Sequence, residues 1–447
     1  MTEPFFPFDP QLMAEVIDWS QRRVAGGEDP VARARPASEL EADLDGSICA
    51  EGIGGTEALR RWSEVIVPAS RSMRHPMNLS YVPSSASATA LTFDLAVSAA
   101  NIMGAIWECG AGAIAAENQA LRWLAGLAGF PGTAGGAFVS GGTLGNLSAL
   151  VTARHATAQQ RGIVLAAAAA HSSVAAAANV MDVDLQRLPG DAHGRISGAD
   201  LEAAVAAAPG SARRVFAVVA SVGTTNAGVV DDLASLAEVC ARHGWWLHVD
   251  GAYGLAAMAS PAVRDRLHGL ERADSFIVDP HKWLFAPYDC CALVYRDPSL
   301  SAAAHTQHAG YLEMIDHEQW NPSYHAIQLS RRTRGLPLWF SLAAHGTDRY
   351  AAAIERTMAT ARDVVEGIRR RGHLDLVMDP DLTIVLFRRP GWDEERMTAW
   401  ADTHAKLGSA LILPTRFRDE LMFRMCFVNP DTEASQVLAV LDTMADD

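Results

Sequence analysis

Lysine is almost missing from this chain: among 447 residues only Lys282 and Lys406 carry an ε-amine. With 52 acidic against 37 basic residues the formal net charge is -15, and no basic cluster stands against it. A nucleic-acid backbone or an anionic membrane surface is therefore a poor electrostatic partner. Cysteine is scarce too. The six, at Cys49, Cys109, Cys240, Cys290, Cys291 and Cys426, show neither disulfide density nor CxxC spacing, which points to a reducing, cytoplasmic setting and to no metal centre. Long apolar runs are absent as well, since the most apolar window, Ala88 to Trp107, is broken by Asp94 and Asn101. The N-terminus MTEPFFPFDPQ lacks the basic-then-apolar order of a signal peptide. A soluble, unprocessed protein is expected, with no nucleic-acid and no membrane partner.

What is present is an ordinary globular composition, 49% hydrophobic and 20% charged, on a length sufficient for two or three domains. The first 75 residues carry helical patterns such as LMAEVIDWSQRRV and, after PASEL with Ser38 as a candidate cap, read as an N-terminal helical arm. Residues 76–335 alternate strand-like apolar runs (GGAFVS, RRVFAVVASVG, GWWLHVD, DSFIVDP, CCALVYRD) with Ala- and Leu-rich helical stretches. Apolar strands separated by helices predict an α/β domain built on a mostly parallel sheet covered on both faces. Within IVLAAAAAHSSVAAAANVM the pattern is strand, turn and helix, with Ser172 or Ser173 as cap. Residues 336–447 combine one long helical region, short strands at LTIVLFRR and LMFRMCFVNP and a last helix at ASQVLAVLDTM, a small C-terminal α+β domain.

Four features carry chemistry. Ser140 to Asn146 read SGGTLGN between a strand and a helix. Glycine amides, the Thr143 hydroxyl and the helix N-terminus suit a phosphate there, although a plain tight turn has the same look. Asp250 closes WWLHVD at the C-terminal end of a strand, where open α/β sheets bind ligands. A buried carboxylate at that place calls for a cationic ligand or for a role as helix cap. His171 is either a histidine satisfied by backbone at a helix entry or a flat ring for a ligand. Lys282, in VDPHKWLF, follows the apolar FIV and precedes three large apolar residues, a setting that suits a surface lysine poorly. Partial desolvation is expected to lower its pKa and make it a nucleophile able to form a Schiff base. A phosphate site, a carboxylate for a pyridinium nitrogen, a covering ring and a Schiff-base lysine together meet the needs of pyridoxal 5'-phosphate.

From about His75 to the C-terminus, and above all in HSS, HVDGAY and DPHKW, the chain resembles the group II pyridoxal-phosphate-dependent decarboxylases of aromatic amino acids, histidine and glutamate. The resemblance implies fold type I, with a large mixed, mostly parallel sheet domain and a small C-terminal domain, and a homodimer with active sites at its interface. By position it implies Lys282 as the cofactor lysine, Asp250 as partner of the pyridine nitrogen, His171 stacked on the ring and Ala252 against the other face. It implies Gly142 and Thr143 at the phosphate, His281 beside the cofactor and Thr225 near the phenolic oxygen. HPMNLSYVPSSAS suggests Tyr81 and Ser84 as substrate contacts, and FRMCFVNP suggests Arg424 as holder of a substrate carboxylate. Asp279 departs from the family, where Asn is common, and would be awkward against phosphate. GAGAIAAEN after Trp107 departs too, so the pocket floor is expected to differ.

The implied reaction is decarboxylation of an L-amino acid to amine and carbon dioxide; the settings of Tyr81 and Ser330 resemble the aromatic branch of the family and the MFRM setting of Arg424 the glutamate branch, and an aromatic substrate is the one expected. In GYLEMIDHEQWNPSYHAIQLSRRTRG, Tyr324 is the candidate proton donor, with Tyr311 as the other loop tyrosine. Three alternatives remain open: a decarboxylating oxidative aldehyde synthase, a carbon-carbon lyase of the sphingosine-phosphate-lyase type, and a non-enzymatic cofactor-binding protein.

Overall fold

The computed structural model describes residues 5–26, 34–159, 161–208, 210–307 and 319–445. The apolar runs become strands because each is buried along its whole length: β1 (Gly135–Val139), β2 (Ile163–Ala167), β4 (Val215–Ser221), β5 (Trp246–Asp250), β6 (Ser275–Val278) and β7 (Cys291–Tyr295) have no exposed residue. With β3 (Asp184–Leu188) they form a seven-stranded sheet in the order β1-β7-β6-β5-β4-β2-β3. It is parallel from β6 through β5, β4 and β2 to β3, and antiparallel where β7 pairs with β6 and β1. Side chains alternate between two covered faces. In β4, Val218 and Ala220 join one core and Ala217 and Val219 the other.

A second, antiparallel sheet runs β10-β11-β9-β8 through β8 (Asp375–Leu376), β9 (Ile384–Arg388), β10 (Leu413–Phe417) and β11 (Glu420–Cys426). Its core includes Val385, Phe387, Phe423 and Met425. Strands β3, β8 and β10 carry no continuous apolar run because they lie at or near sheet edges and are half wet; Pro414 in β10 is tolerated there since an edge strand has a spare N–H side.

Three local expectations change. The long helical region is two helices, Leu336–His345 and Thr347–Arg369, separated at Gly346, whose φ of 78° suits glycine and ends the first helix. The helix Ser172–Met181 is capped by His171, not by a serine: His171 Nδ1 accepts the Ser173 N–H at 3.2 Å. Ser38 lies inside the helix Ala37–Leu44, which has no side-chain cap.

Candidate active site

The parallel strands β4, β5 and β6 end side by side, and the residues at and just after their C-terminal ends, Ser221, Asp250 and Asp279, reach one cavity of about 360 Å³. Placement there follows from the topology of open α/β sheets, whose ligand crevice forms at strand carboxyl ends. Opposite them the helix Gly142–Ala156 begins. Its cap residue Gly141 has no side chain to satisfy the first-turn amides, and Gly141, Gly142 and Thr143 line the cavity. Free N–H groups and the positive end of a 15-residue helix suit an anion. Gly145 permits this close approach, since a Cβ there would stand 2.7 Å from Ile277 Cγ2.

Asp250 is 8% exposed; its Oδ2 accepts Asn146 Nδ2 at 2.8 Å and its Oδ1 accepts the Ala252 N–H at 3.2 Å. Both donors are neutral, so neither supplies a counter-charge to the carboxylate at the cavity wall. Lys282 Nζ stands 2.9 Å from Asp279 Oδ2, and His281 Nε2 3.5 Å from the same oxygen. Burial disfavours the Lys282 ammonium, but the charge and hydrogen bond of Asp279, with Asp250 behind it, outweigh burial and raise its pKa. This corrects the expectation of a lowered lysine pKa: desolvation is real, yet a carboxylate in contact overrides it. Burial likewise disfavours the Asp279 carboxylate, while Lys282 and His281 hold its pKa below the usual value. Asp279 therefore faces a cation, and its Oδ1 is buried with no hydrogen-bond partner. For His281 burial dominates and lowers the imidazole pKa, and its Nδ1 accepts the Cys290 N–H at 3.0 Å.

Among the anticipated residues Lys282, Asp250, His171, Gly142, Thr143, Thr225, Ala252, His281 and Tyr81 line this one cavity. Ser84, Tyr324 and Arg424 do not. Ser84 is buried and donates to the Ala286 carbonyl at 3.3 Å. Arg424 turns to the backbone: its Nη1 donates to the Tyr81 carbonyl at 2.6 Å, its Nη2 to the Thr225 carbonyl at 2.7 Å and its Nε to Thr225 and Asn226 at 3.1 and 3.2 Å. It clamps Tyr81, held at a φ of +53°, which is costly for a side chain with a Cβ. Tyr324 sits in the turn Pro322–Tyr324, whose Ser323 N–H bonds Ala105, away from the cavity's described lining. Tyr311 lies outside the described residues. Glu117, in the departing GAGAIAAEN segment, is a buried partner of Arg331 at 2.6 Å and of the Gly335 N–H at 2.8 Å, and is not a lining residue.

Sequence reasoning gave no individual role at the site to Asn146, Ser173 or His248. The signal was present: Asn146 follows Gly142 by one helical turn, and His248 precedes Asp250 by two residues, on the same strand face.

Residues 56–389 match the pyridoxal-dependent decarboxylase conserved domain. The chain belongs to that family. It is 30% identical over 428 residues to an aromatic-L-amino-acid decarboxylase of Bacillus atrophaeus, covering 92% of this chain and 89% of that one. It is 31% identical over 412 residues to an L-2,4-diaminobutyrate decarboxylase of Rhizobium meliloti (strain 1021), covering 88% and 82%. The fold matches that of Oryza sativa TDC solved with PLP and tryptamine, at a TM-score of 0.89 with 24% identity and 99% of each chain covered. As a member of the family the protein is a pyridoxal-phosphate-dependent carboxy-lyase. Its cavity fits that cofactor: an uncapped helix start for the phosphate, a buried carboxylate with neutral donors for the ring nitrogen, and a lysine at the strand ends. Among the described residues no helix is long and apolar enough to cross a membrane.

Proposed function

We propose that this chain converts an aromatic L-amino acid to its amine and carbon dioxide, acting as a cytoplasmic homodimer. The observation that carries the substrate class is the cavity wall: among the described residues it contains Tyr81, Val82 and Tyr253 but no arginine, and Arg424 is committed to backbone carbonyls. An acidic side chain would find no guanidinium fork there, whereas an aromatic one would find apolar and aromatic contact. The name of the Bacillus atrophaeus relative agrees.

Bound pyridoxal phosphate would supply an electron sink for the bond that breaks. Lys282 would hold it covalently through its amine, Gly142 and Thr143 its phosphate, and Asp250 its ring nitrogen. Asp250 would keep the proton at that nitrogen, which a carboxylate in a low-dielectric site favours strongly. His171 and Ala252 would fix the ring plane from its two faces. Support for a second copy comes from the apolar residues left in the open on the arm: Phe5 is 91%, Phe6 86% and Phe8 71% exposed, more than a lone subunit ordinarily shows in one place. All six cysteines are unpaired, in keeping with a reducing compartment.

The test is incubation of the purified protein with pyridoxal phosphate and each L-amino acid, scoring carbon dioxide, amine, ammonia and peroxide. Aromatic amino acids are expected to turn over fastest, with amine and carbon dioxide in equal amounts. Faster turnover of an acidic or diamino substrate would overturn the substrate class, and equimolar ammonia and peroxide would make the protein an aldehyde synthase. Lys282→Ala is expected to lose both turnover and the visible absorbance that borohydride bleaches.

A further inference from the structure

Behind the cofactor residues lies a chain of buried polar groups whose hydrogen positions follow from counting donors. Trp246, His248 and Asp250 share one face of β5, and Ser275 stands opposite His248 on β6. The Trp246 indole, a donor only, gives its proton to Ser275 Oγ at 2.9 Å. The Ser275 hydroxyl is then free to donate to His248 Nδ1, 2.8 Å away.

Asn146 comes from the facing helix. The atom 2.8 Å from the Asp250 carboxylate must be its amide nitrogen, since a carboxylate only accepts, and the same nitrogen donates to Ser173 Oγ at 2.9 Å. Its Oδ1 therefore faces His248 Nε2 at 2.9 Å and accepts that proton. Ser173 Oγ, having received one proton, gives its own to His171 Nδ1 at 2.8 Å, where the Ser173 N–H also arrives at 3.2 Å. Neutral His171 is left with its proton on Nε2. Asn146, His248, Ser173 and Ser275 are each at most 2% exposed, so water does not compete for these bonds. His248 itself stays uncharged, because burial drives its pKa down to about 4.

We propose that Asn146, backed by His248, is a positioning residue: it aims the Asp250 carboxylate at the cofactor's ring nitrogen and locks the covering His171 in its Nε2–H form. The proposal rests on the cofactor reading given above. A neutral relay does both without introducing a cation that would compete with the ring nitrogen for Asp250. If His248 lost its donor, the buried Asn146 Oδ1 would be left without a partner, and the amide that holds both Asp250 and Ser173 would be less firmly fixed, so the two cofactor contacts would loosen together.

Two measurements test this. In the cofactor-free protein labelled with ¹⁵N-histidine, nuclear magnetic resonance should find His171 and His248 as Nε2–H tautomers, assigned through His171→Gln and His248→Gln; an Nδ1–H form of either overturns the relay. By fluorescence titration, Asn146→Ala should weaken cofactor binding by about tenfold or more, the size of one charge-assisted hydrogen bond lost, and His248→Leu by about fivefold or more, since it leaves the buried Asn146 Oδ1 without a donor. His248→Gln, whose amide nitrogen can stand where Nε2 does, should remain within about twofold of the original chain. Equal weakening by His248→Gln and His248→Leu would mean a packing role only, and tight binding by a folded Asn146→Ala would also refute the proposal. Should Asn146→Ala fail to fold, the His248 pair decides. A chain that binds no cofactor at all would instead refute the cofactor reading, and the tautomer measurement would still stand.

Discussion

The contact between Lys282 and Asp279 makes a prediction that the near absence of lysine renders measurable. Asp279 is 1% exposed and its Oδ2 lies 2.9 Å from the ammonium, so Asp279→Asn removes a full counter-charge while keeping the shape of the side chain. An opposite charge at such a distance moves a pKa by about 1 to 3 pH units. The Lys282 pKa should fall by that amount in the variant, because burial then acts against the ammonium with Asp250 as the main remaining charge to oppose it. At neutral pH the free-amine fraction would rise about 10- to 1000-fold. Competitive acylation of the cofactor-free protein across pH, read by peptide mass spectrometry, resolves this cleanly since Lys406 is the only other lysine and is exposed. An identical titration midpoint for Lys282 in the two proteins would refute the claim that Asp279 sets its charge state.

Stability should fall in mild acid. His248 and His325 are held neutral by burial, down to about 4 and about 3, whereas the unfolded chain takes up these protons near 6.5. The stability they contribute is complete above pH 6.5 and is lost as pH drops, His248 alone accounting for about 3 kcal/mol by pH 4. Asp231, raised by burial to about 7, acts with the opposite sign, its contribution being lost as pH rises through 7. Melting temperatures taken from pH 7 to pH 4 check this, and a flat profile would contradict it. Glu117→Gln leaves the fully buried Arg331 guanidinium without its counter-charge and should cost about 3–5 kcal/mol by denaturant titration. A loss under about 1 kcal/mol would show that the pair is not desolvated as placed. Arg424→Lys removes the fork that ties the Tyr81, Thr225 and Asn226 carbonyls, at a cost of about 1–3 kcal/mol, and should raise KM for acidic and aromatic amino acids alike. Selective loss of acidic substrates would restore Arg424 as a carboxylate holder.

Residue order alone determined the α/β body, because strands buried on both faces write themselves as unbroken apolar runs, as in β4 and β7. It also placed Lys282, Asp250, His171 and the Gly142–Thr143 turn, since each stands at the junction of a strand or turn with a helix, where local pattern and ligand chemistry coincide. Edge strands such as β3, with the sequence DLQRL, left no such pattern because water satisfies one side of them. Only the tertiary structure decided the contact of Lys282 with Asp279 that raises its pKa, the withdrawal of Arg424 to backbone carbonyls and the hydrogen bonds that run from Trp246 to His171. A pKa or a hydrogen bond depends on what stands within a few ångströms. Asn146 and Asp250 meet across 104 positions of chain and Arg424 and Tyr81 across 343, separations that no local pattern records.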